Sequence, residues 1–175
     1  KLTPTMGWNS WNTLGTNINE QVIKEIADTM VETGLRDAGY EYLCIDDCWS
    51  EKERGTDGRL KEDSQKFPNG MKAVADYVHS KGLKFGMYTS SGHRMCMGAA
   101  ASYDYEFEDV ETFASWGADL LKYDFCDRPA ALSAEYTYRR MGAALASCGR
   151  DILFSACSWG KEDTYKWIKT TGASM

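Results

Sequence analysis

Short apolar runs alternate with longer amphipathic stretches along the chain. Five runs are apolar at nearly every position, as expected for strands that are buried on both faces of a sheet. Between them, apolar residues recur at a spacing of three or four, which is typical of helices with one buried face. The predicted strands are 6–11, 41–49, 83–89, 118–126 and 152–159, and the predicted helices lie over 22–31, 71–78, 106–116, 133–146 and 163–171.

Boundary residues support the helix assignments. Asn19 precedes the first helix, and its side-chain oxygen can accept a hydrogen bond from one of the free N–H groups there. Gly34 or Gly39 ends that helix, while Gly117 and Gly149 follow the third and fourth helices. Glycine is favoured at these positions because it adopts the left-handed backbone that closes a helix.

The order β-α repeats five times, which predicts a parallel sheet with right-handed crossovers. Two architectures fit this order, an open doubly wound sheet and a (β/α)₈ barrel. No glycine-rich phosphate loop follows the first strand, which weakens the open sheet. Polar and aromatic residues collect where successive strands end, and a barrel builds its site in this way. A whole barrel takes about 250 residues, so residues 1–175 are expected to be a single N-terminal piece holding the first five βα units and ending before the sixth strand.

Composition narrows the classes of partner. The chain has 175 residues, 43% of them hydrophobic, and a net charge of −6 without a basic cluster. Nucleic acid and anionic membranes are therefore poor partners, and no apolar run approaches the roughly 20 residues of a membrane span. The opening residues Lys1 to Thr5 do not have the pattern of a signal peptide, so none is expected within these 175 residues. The location is left open between a secreted or periplasmic one, which we favour, and a cytoplasmic one.

Lys122 and Asp124 are the most informative pair. They follow an apolar run and, being two apart on a strand, point to the same side. Asp124 could be a nucleophile that Lys122 keeps ionised. Lys122 could instead form a Schiff base, as in a barrel aldolase, or the two could be a buried ion pair. The pair alone does not decide between these readings.

Other strand ends carry groups suited to sugars. Asp46 and Asp47 follow the second strand. Their carboxylates could accept hydrogen bonds from vicinal hydroxyls of a sugar, or they could instead cap a loop. Exposed aromatic faces stack on the C–H surfaces of sugars. The further strand-end residues are Trp8, Tyr88, Ser158 and Trp159.

Histidines and cysteines give little support for a metal. His79 and His93 are the only histidines, and no Cys-x-x-Cys pair occurs, so neither a metal site nor a cofactor is predicted. Cys96 and Cys126 follow the third and fourth strands, whose ends are neighbours in a parallel sheet. Their position in the sequence alone does not favour a disulfide between them over two free thiols.

Several ordered motifs resemble glycoside hydrolase family 27, the family of α-galactosidases and α-N-acetylgalactosaminidases. The resemblance runs from Thr5 to Met175. It implies a (β/α)₈ catalytic barrel followed by a C-terminal β-sandwich that this chain lacks, and a retaining mechanism with two aspartates. The motifs are Met6-Gly7-Trp8-Asn9-Ser10-Trp11, Cys44-Ile45-Asp46-Asp47-Cys48-Trp49, Gly58-Arg59-Leu60, Phe67-Pro68, His79-Ser80-Lys81-Gly82-Leu83-Lys84-Phe85-Gly86 and Lys122-Tyr123-Asp124-Phe125-Cys126.

The resemblance also implies roles. Asp124 resembles the nucleophile, and Cys96 and Cys126 resemble a disulfide beside it. The general acid/base aspartate of the family lies on the sixth strand, so the 175 residues are expected to be inactive without the remainder of the barrel, whether as another segment or another chain. The residues that resemble the lining of the galactose pocket are Trp8, Asp46, Asp47, Tyr88 and Lys122.

Two positions depart from the family pattern. Ser158 stands where many α-galactosidases have glutamate, and a small residue there resembles the α-N-acetylgalactosaminidases, although Gly160-Lys161 does not complete their pattern. The expected substrate is therefore an α-galactoside, with an α-N-acetylgalactosaminide as the alternative. The second departure is at Cys48, which in the family often forms a disulfide with a cysteine in the loop after the first strand. This chain has no cysteine in that loop. The remaining alternatives are the aldolase and a sugar-binding protein without catalysis.

Overall fold

A computed structural model describes residues 4–175. Its strands form one parallel five-stranded sheet. Its strands are β1 (Gly7–Asn9), β2 (Tyr42–Cys44), β3 (Lys84–Ser90), β4 (Leu120–Asp124) and β5 (Leu153–Ala156). They lie side by side in sequence order, and every pairing is parallel. An open doubly wound sheet reverses its strand order at a switch point, whereas a barrel adds strands in one direction, as here.

Helices follow the strands as predicted, with one addition. The helices are α1 (Trp11–Leu14), α2 (Glu20–Glu32), α3 (Met71–Ser80), α4 (Glu106–Trp116), α5 (Ala134–Ser147) and α6 (Thr164–Trp167), followed by a 3₁₀ turn (Ile168–Thr170). Asn19 caps α2 by accepting from the Val22 N–H at 3.0 Å, and Gly117 ends α4 with φ of 92°. In residues 4–175, no helix has the length and apolar character that crossing a bilayer requires.

Four of the five strands end earlier than predicted at the side where the site lies, whereas β3 runs one residue further, to Ser90. The first strand stops at Asn9, and Trp11 begins α1 instead of ending the strand. The second stops near Cys44 because the Asp46 N–H donates to the Ser10 hydroxyl at 2.9 Å rather than to a neighbouring strand. These early ends free the backbone after each strand to turn and present side chains.

The fifth predicted helix is broken into α6 and the 3₁₀ turn. The hydroxyl of Thr170 donates to the Trp167 carbonyl at 2.6 Å, and that of Thr171 donates to the Ile168 carbonyl at 2.7 Å. Threonine hydroxyls that bond carbonyls three residues back compete with the regular helical ladder. The single helix predicted over 163–171 was therefore wrong in its continuity, though not in its place.

The main core lies between the sheet and its helices, with Phe85, Met87 and Tyr123 fully or almost fully buried. The opposite face of the sheet is packed tightly between β2 and β3, where a side chain at Gly86 would collide with Cys44 Sγ. Beyond β5, Ser174 and Met175 hydrogen-bond to the β5 backbone, and the Ala156 N–H donates to the Met175 carbonyl at 2.7 Å.

Candidate active site

Strand register brings the predicted residues together at one end of the sheet. Tyr88 on β3 is the register partner of Lys122 on β4, and Ser90 is the partner of Asp124. Side chains two apart on a strand share a face, so Lys122 and Asp124 continue the same face as Leu120. The carboxyl ends of β2, β3, β4 and β5 therefore contribute to one cluster.

Asp124 is buried and held through both carboxylate oxygens. Its Oδ1 accepts from the Phe125 backbone N–H and from the indole N–H of Trp159, each at 2.8 Å. Its Oδ2 accepts from the Tyr88 hydroxyl at 3.1 Å and lies 3.9 Å from Lys122 Nζ. Such an arrangement fixes the orientation of the carboxylate.

Lys122 forms its shorter ion pair with a different aspartate. Its Nζ lies 2.7 Å from Asp46 Oδ2. Burial opposes a charge on Lys122, but the hydrogen bond to Asp46 and the charges of Asp46 and Asp124 outweigh it. The pKa of Lys122 is therefore raised above its usual value. Its ammonium also lies 5.1 Å from the centre of the Tyr88 ring.

Asp46 is fixed by two residues, one at the end of β1 and one just after it, to which the sequence analysis gave no role of their own. The side-chain amide of Asn9 donates to Asp46 Oδ2 at 2.8 Å, and the Ser10 hydroxyl accepts from the Asp46 N–H. Asn9 stands at the carboxyl end of β1, so the criterion that selected Trp8 could also have found it. Trp8 itself lines a cavity of about 150 Å³ on the inner face of the sheet, together with Lys122.

Asp47 turns away from Lys122 and holds a loop. Its Oδ2 accepts from the Met97 N–H at 2.8 Å, and its Oδ1 accepts from the Cys48 N–H at 2.6 Å. Burial raises the pKa of Asp47, and these two bonds only partly oppose that rise. Of the two predicted acceptors, Asp46 thus joins the charged cluster, whereas Asp47 organises the loops beside it.

A disulfide joins Cys96 and Cys126 at the edge of the cluster, with a Cα–Cα distance of 5.2 Å. Cys96 Sγ lies 3.3 Å from the Tyr88 hydroxyl and 3.7 Å from Asp124 Oδ2. The disulfide therefore braces the loops after β3 and β4 against the carboxylate. In the described residues these sulfurs and Asp124 are the one group close enough to hold a cation, but a disulfide offers no thiolate ligand.

Residues 3–172 match the family model described as alpha galactosidase A. The chain belongs to this family, glycoside hydrolase family 27. The chain is 50% identical over 173 residues to an alpha-galactosidase of Cyamopsis tetragonoloba, with 98% of this chain and 42% of that protein covered.

Solved structures agree with the family-27 assignment. Alpha-galactosidase I of Mortierella vinacea superposes with a TM-score of 0.94 at 42% identity, over 97% of this chain and 44% of that one. The alpha-galactosidase of Saccharomyces cerevisiae with raffinose superposes with a TM-score of 0.92 at 42% identity, over 95% of this chain and 37% of that one. The five βα units are thus part of a (β/α)₈ barrel, and the chain spans less than half the length of these relatives.

Ser158 and Trp159, the two site residues predicted after β5, have different surroundings in this family-27 chain. Ser158 is 4% exposed, and its hydroxyl shares a hydrogen bond of 2.7 Å with the Thr164 hydroxyl. Trp159 is 56% exposed and reaches Asp124 with its indole N–H. Its ring also packs on Phe125, with the ring centres 5.5 Å apart.

Cys157 is a neighbour of the site that sequence reasoning did not assign. The residue follows β5 and is half-buried. Burial, and next the charge of Asp124, raise the pKa of its thiol to about 11. The run 152–159 around Cys157 is apolar, which by itself indicates only a small buried side chain. The nearness of Cys157 to Asp124 depends on the pairing of β4 with β5, which no local pattern reveals.

Proposed function

We propose that the intact protein is a retaining α-galactosidase in which Asp124 attacks the anomeric carbon of a terminal α-linked galactose. The observation that carries the proposal is the setting of Asp124, a buried carboxylate at a strand end. It is oriented by Trp159 and Tyr88 and lies 3.9 Å from the Lys122 ammonium. Family membership supports the reaction class, and two relatives that are 50% and 47% identical to this chain are named alpha-galactosidases.

In the first step a bond forms between an Asp124 oxygen and the anomeric carbon. The bond from that carbon to the leaving oxygen breaks, and the leaving oxygen takes a proton from a second carboxyl group, the general acid. In the second step water adds to the anomeric carbon and gives a proton to that carboxylate, while Asp124 departs with its electron pair. Retaining carboxylates stand about 5–5.5 Å apart, and the resemblance puts the second one on the strand after β5, beyond residue 175.

The sugar hydroxyls would be held by the charged cluster next to Asp124. Asp46 accepts from Lys122 and Asn9 with Oδ2 and from the Asp47 N–H with Oδ1, and the remaining lone pair of Oδ1 can accept from a hydroxyl. Lys122 has further N–H donors for sugar oxygens. We assign Asp47, Tyr88 and Trp8 to the walls of the same pocket, as their places at the ends of neighbouring strands support.

The geometry does not favour the competing functions. A Schiff-base lysine must lose its proton before it attacks a carbonyl, whereas Lys122 is paired with Asp46 and has a raised pKa. The α-N-acetylgalactosaminidase alternative rests on Ser158 as a small residue that makes room for an acetamido group. That side chain is instead buried against Thr164.

A trapping experiment on the intact protein tests the assignment of Asp124. A fluorinated galactosyl reagent with an activated leaving group should form a stable ester, and peptide mapping should locate the label on Asp124. The Asp124→Asn variant should lose at least about a thousandfold in turnover of an aryl α-galactoside, as expected when a nucleophile is removed. Asp127→Asn is the matched control, because Asp127 is exposed and lies three residues beyond Asp124, in the loop after β4.

Different outcomes separate the alternatives. Label on any residue other than Asp124 would overturn the nucleophile assignment. Binding of galactose without turnover of the aryl galactoside would identify a sugar-binding protein, and faster turnover of the aryl α-N-acetylgalactosaminide would identify that activity instead. Borohydride trapping of a carbonyl substrate on Lys122 would identify an aldolase. The 175-residue chain alone should show no turnover.

A further inference from the structure

The two oxygens of the Asp124 carboxylate have different surroundings. Oδ1 accepts two N–H groups at 2.8 Å, one from the Phe125 backbone and one from the Trp159 indole. Oδ2 accepts one hydroxyl, that of Tyr88 at 3.1 Å, and lies 3.9 Å from Lys122 Nζ. A carboxylate oxygen offers about two lone-pair sites. Oδ1 therefore has both occupied, and Oδ2 keeps one for a new bond.

The backbone that carries Trp159 is in an unfavourable conformation. Trp159, Glu162 and Asp163 all have φ between 51° and 55°, a left-handed region that non-glycine residues seldom occupy. Such conformations persist where the surrounding structure enforces them, and they concentrate at functional sites. Here they turn the loop after β5 so that the indole N–H of Trp159 points at Asp124.

Contacts around this loop hold it in place. Glu162 accepts from the Ala134 N–H at 2.7 Å and is ion-paired with Arg128. The Arg128 guanidinium lies 4.9 Å from the centre of the Phe125 ring, on which Trp159 packs. The loop after β4 and the loop after β5 are thereby joined, with Phe125 and Trp159 side by side as donors to one oxygen.

We infer that Trp159 is a positioning residue that fixes which oxygen of Asp124 reacts. Oδ2 forms the bond to the anomeric carbon, and Oδ1 becomes the carbonyl oxygen of the glycosyl-enzyme ester. This inference rests on the proposed function, and it gives Trp159 a role beyond contact with the sugar.

The hydrogen bonds from the two N–H groups to Oδ1 should affect hydrolysis of the ester and formation of the ester to different extents. When the ester is hydrolysed, negative charge returns to the carboxylate, and N–H groups aimed at Oδ1 stabilise that charge as it develops. When the ester is formed, the same bonds hold the carboxylate in place but also make it a weaker nucleophile, so these effects offset each other. Loss of the Trp159 N–H should therefore slow ester hydrolysis more than ester formation.

The test measures both steps in the intact protein with the fluorinated galactosyl reagent. Inactivation gives the rate of ester formation, and recovery of activity after the excess reagent is removed gives the rate of ester hydrolysis. In Trp159→Phe, which keeps an aromatic ring but lacks the N–H, recovery should slow about ten- to hundredfold, the value of one charge-assisted hydrogen bond. The rate of inactivation should fall by a factor that is several times smaller than the factor for recovery.

A second variant guards against simple misfolding. Replacement of Trp159 by benzothienylalanine exchanges the indole N–H for sulfur while keeping the shape, and it should give the same unequal slowing. Tyr165→Phe is the matched control, because Tyr165 is 74% exposed on the following helix, and both of its rates should stay unchanged. Recovery within twofold of the parent in both Trp159 variants, or equal slowing of the two steps, would overturn the inference. Label on a residue other than Asp124 would instead overturn the proposed function.

Discussion

Lys122 is bound to Asp46 rather than to Asp124. Its Nζ lies 2.7 Å from Asp46 Oδ2 and 3.9 Å from Asp124 Oδ2. Asp46 is 2% exposed, so its charge has little solvent to stabilise it. Lys122 therefore neutralises one carboxylate through a direct bond and acts on the other across a longer distance.

The first prediction concerns removal of this lysine. Lys122→Met in the intact protein should lower the free energy of unfolding by about 3 kcal/mol, because it leaves Asp46 as a buried charge without its cation. Lys84→Met is the control, since Lys84 pairs with Glu41 at 3.0 Å on the surface, and it should cost less than about 1 kcal/mol. Chemical denaturation measures both. A smaller loss in Lys122→Met than in Lys84→Met would contradict the prediction.

The same variant has an expected dependence on pH. The pKa of Lys122 is raised in the folded protein, so its contribution to stability is fully present below the unfolded value of about 10.5 and is lost as the pH rises through the folded value. The stability difference between the parent and Lys122→Met should stay constant from neutral pH to about 10.5 and then shrink. A difference that shrinks between pH 7 and about 9 would mean that another group controls it.

The strand ends could be predicted from the sequence because topology alone brings them together. Parallel strands in a barrel all finish at one face, so Tyr88, Lys122 and Asp124 were placed near one another before any distance was known. The pairing of Asn9 with Asp46 was not predicted, because it depends on the register of β1 against β2 across 37 residues. The contact between Trp159 and Asp124 was also missed. Its left-handed backbone at a tryptophan is one that sequence rules assign to glycine.

The second prediction concerns the reactivity of Cys157. Burial and the charge of Asp124 raise the pKa of its thiol to about 11, and only the thiolate reacts with iodoacetamide. Alkylation of Cys157 should therefore be slow near pH 8 and should accelerate towards pH 11. Mass spectrometry of timed samples measures the rate.

Asp124→Asn isolates the electrostatic part of this effect. It removes the carboxylate charge and leaves most of the burial, so alkylation of Cys157 near pH 8 should become faster. Cys148 serves as the control, because it is also a free, half-buried thiol but lies after α5, away from the site. An equal acceleration at Cys148 would show that the variant loosened the whole fold.

The third prediction concerns the disulfide. Replacing Cys96 and Cys126 with serine should lower the free energy of unfolding by about 3–4 kcal/mol, the loop-closure value for a separation of 30 residues. Activity should also fall, because Cys96 Sγ lies 3.3 Å from the hydroxyl that Tyr88 donates to Asp124. A reductant should lower the melting temperature of the parent and leave that of the double serine variant unchanged. Equal shifts in the two proteins would place the effect at another thiol.

The fourth prediction concerns an ion pair that anchors the loop after β2. Arg54 donates to both oxygens of Asp109 on α4, at 2.6 and 2.8 Å, and its guanidinium stacks 3.8 Å from the centre of the Tyr105 ring. Asp109 has no exposed surface. Arg54→Met should therefore destabilise the protein by about 3 kcal/mol or more, because it leaves a buried carboxylate unpaired. Arg94→Met, which breaks the exposed pair with Glu53, should cost less than about 1 kcal/mol.

Two further measurements separate the loss of a charge partner from the loss of packing. Burial raises the pKa of Asp109 even beside Arg54, so without the arginine the carboxyl should take up a proton more readily as the pH falls. The stability deficit of Arg54→Met should accordingly be largest near neutral pH and should narrow towards pH 4, because a protonated Asp109 needs no cation. The double variant Arg54→Met with Asp109→Leu should recover most of the lost stability, since a buried ion pair can often be replaced by apolar groups of similar size. If the deficit is the same at both pH values and persists in the double variant, the lost stability comes from the stacking and backbone contacts of Arg54, not from its charge.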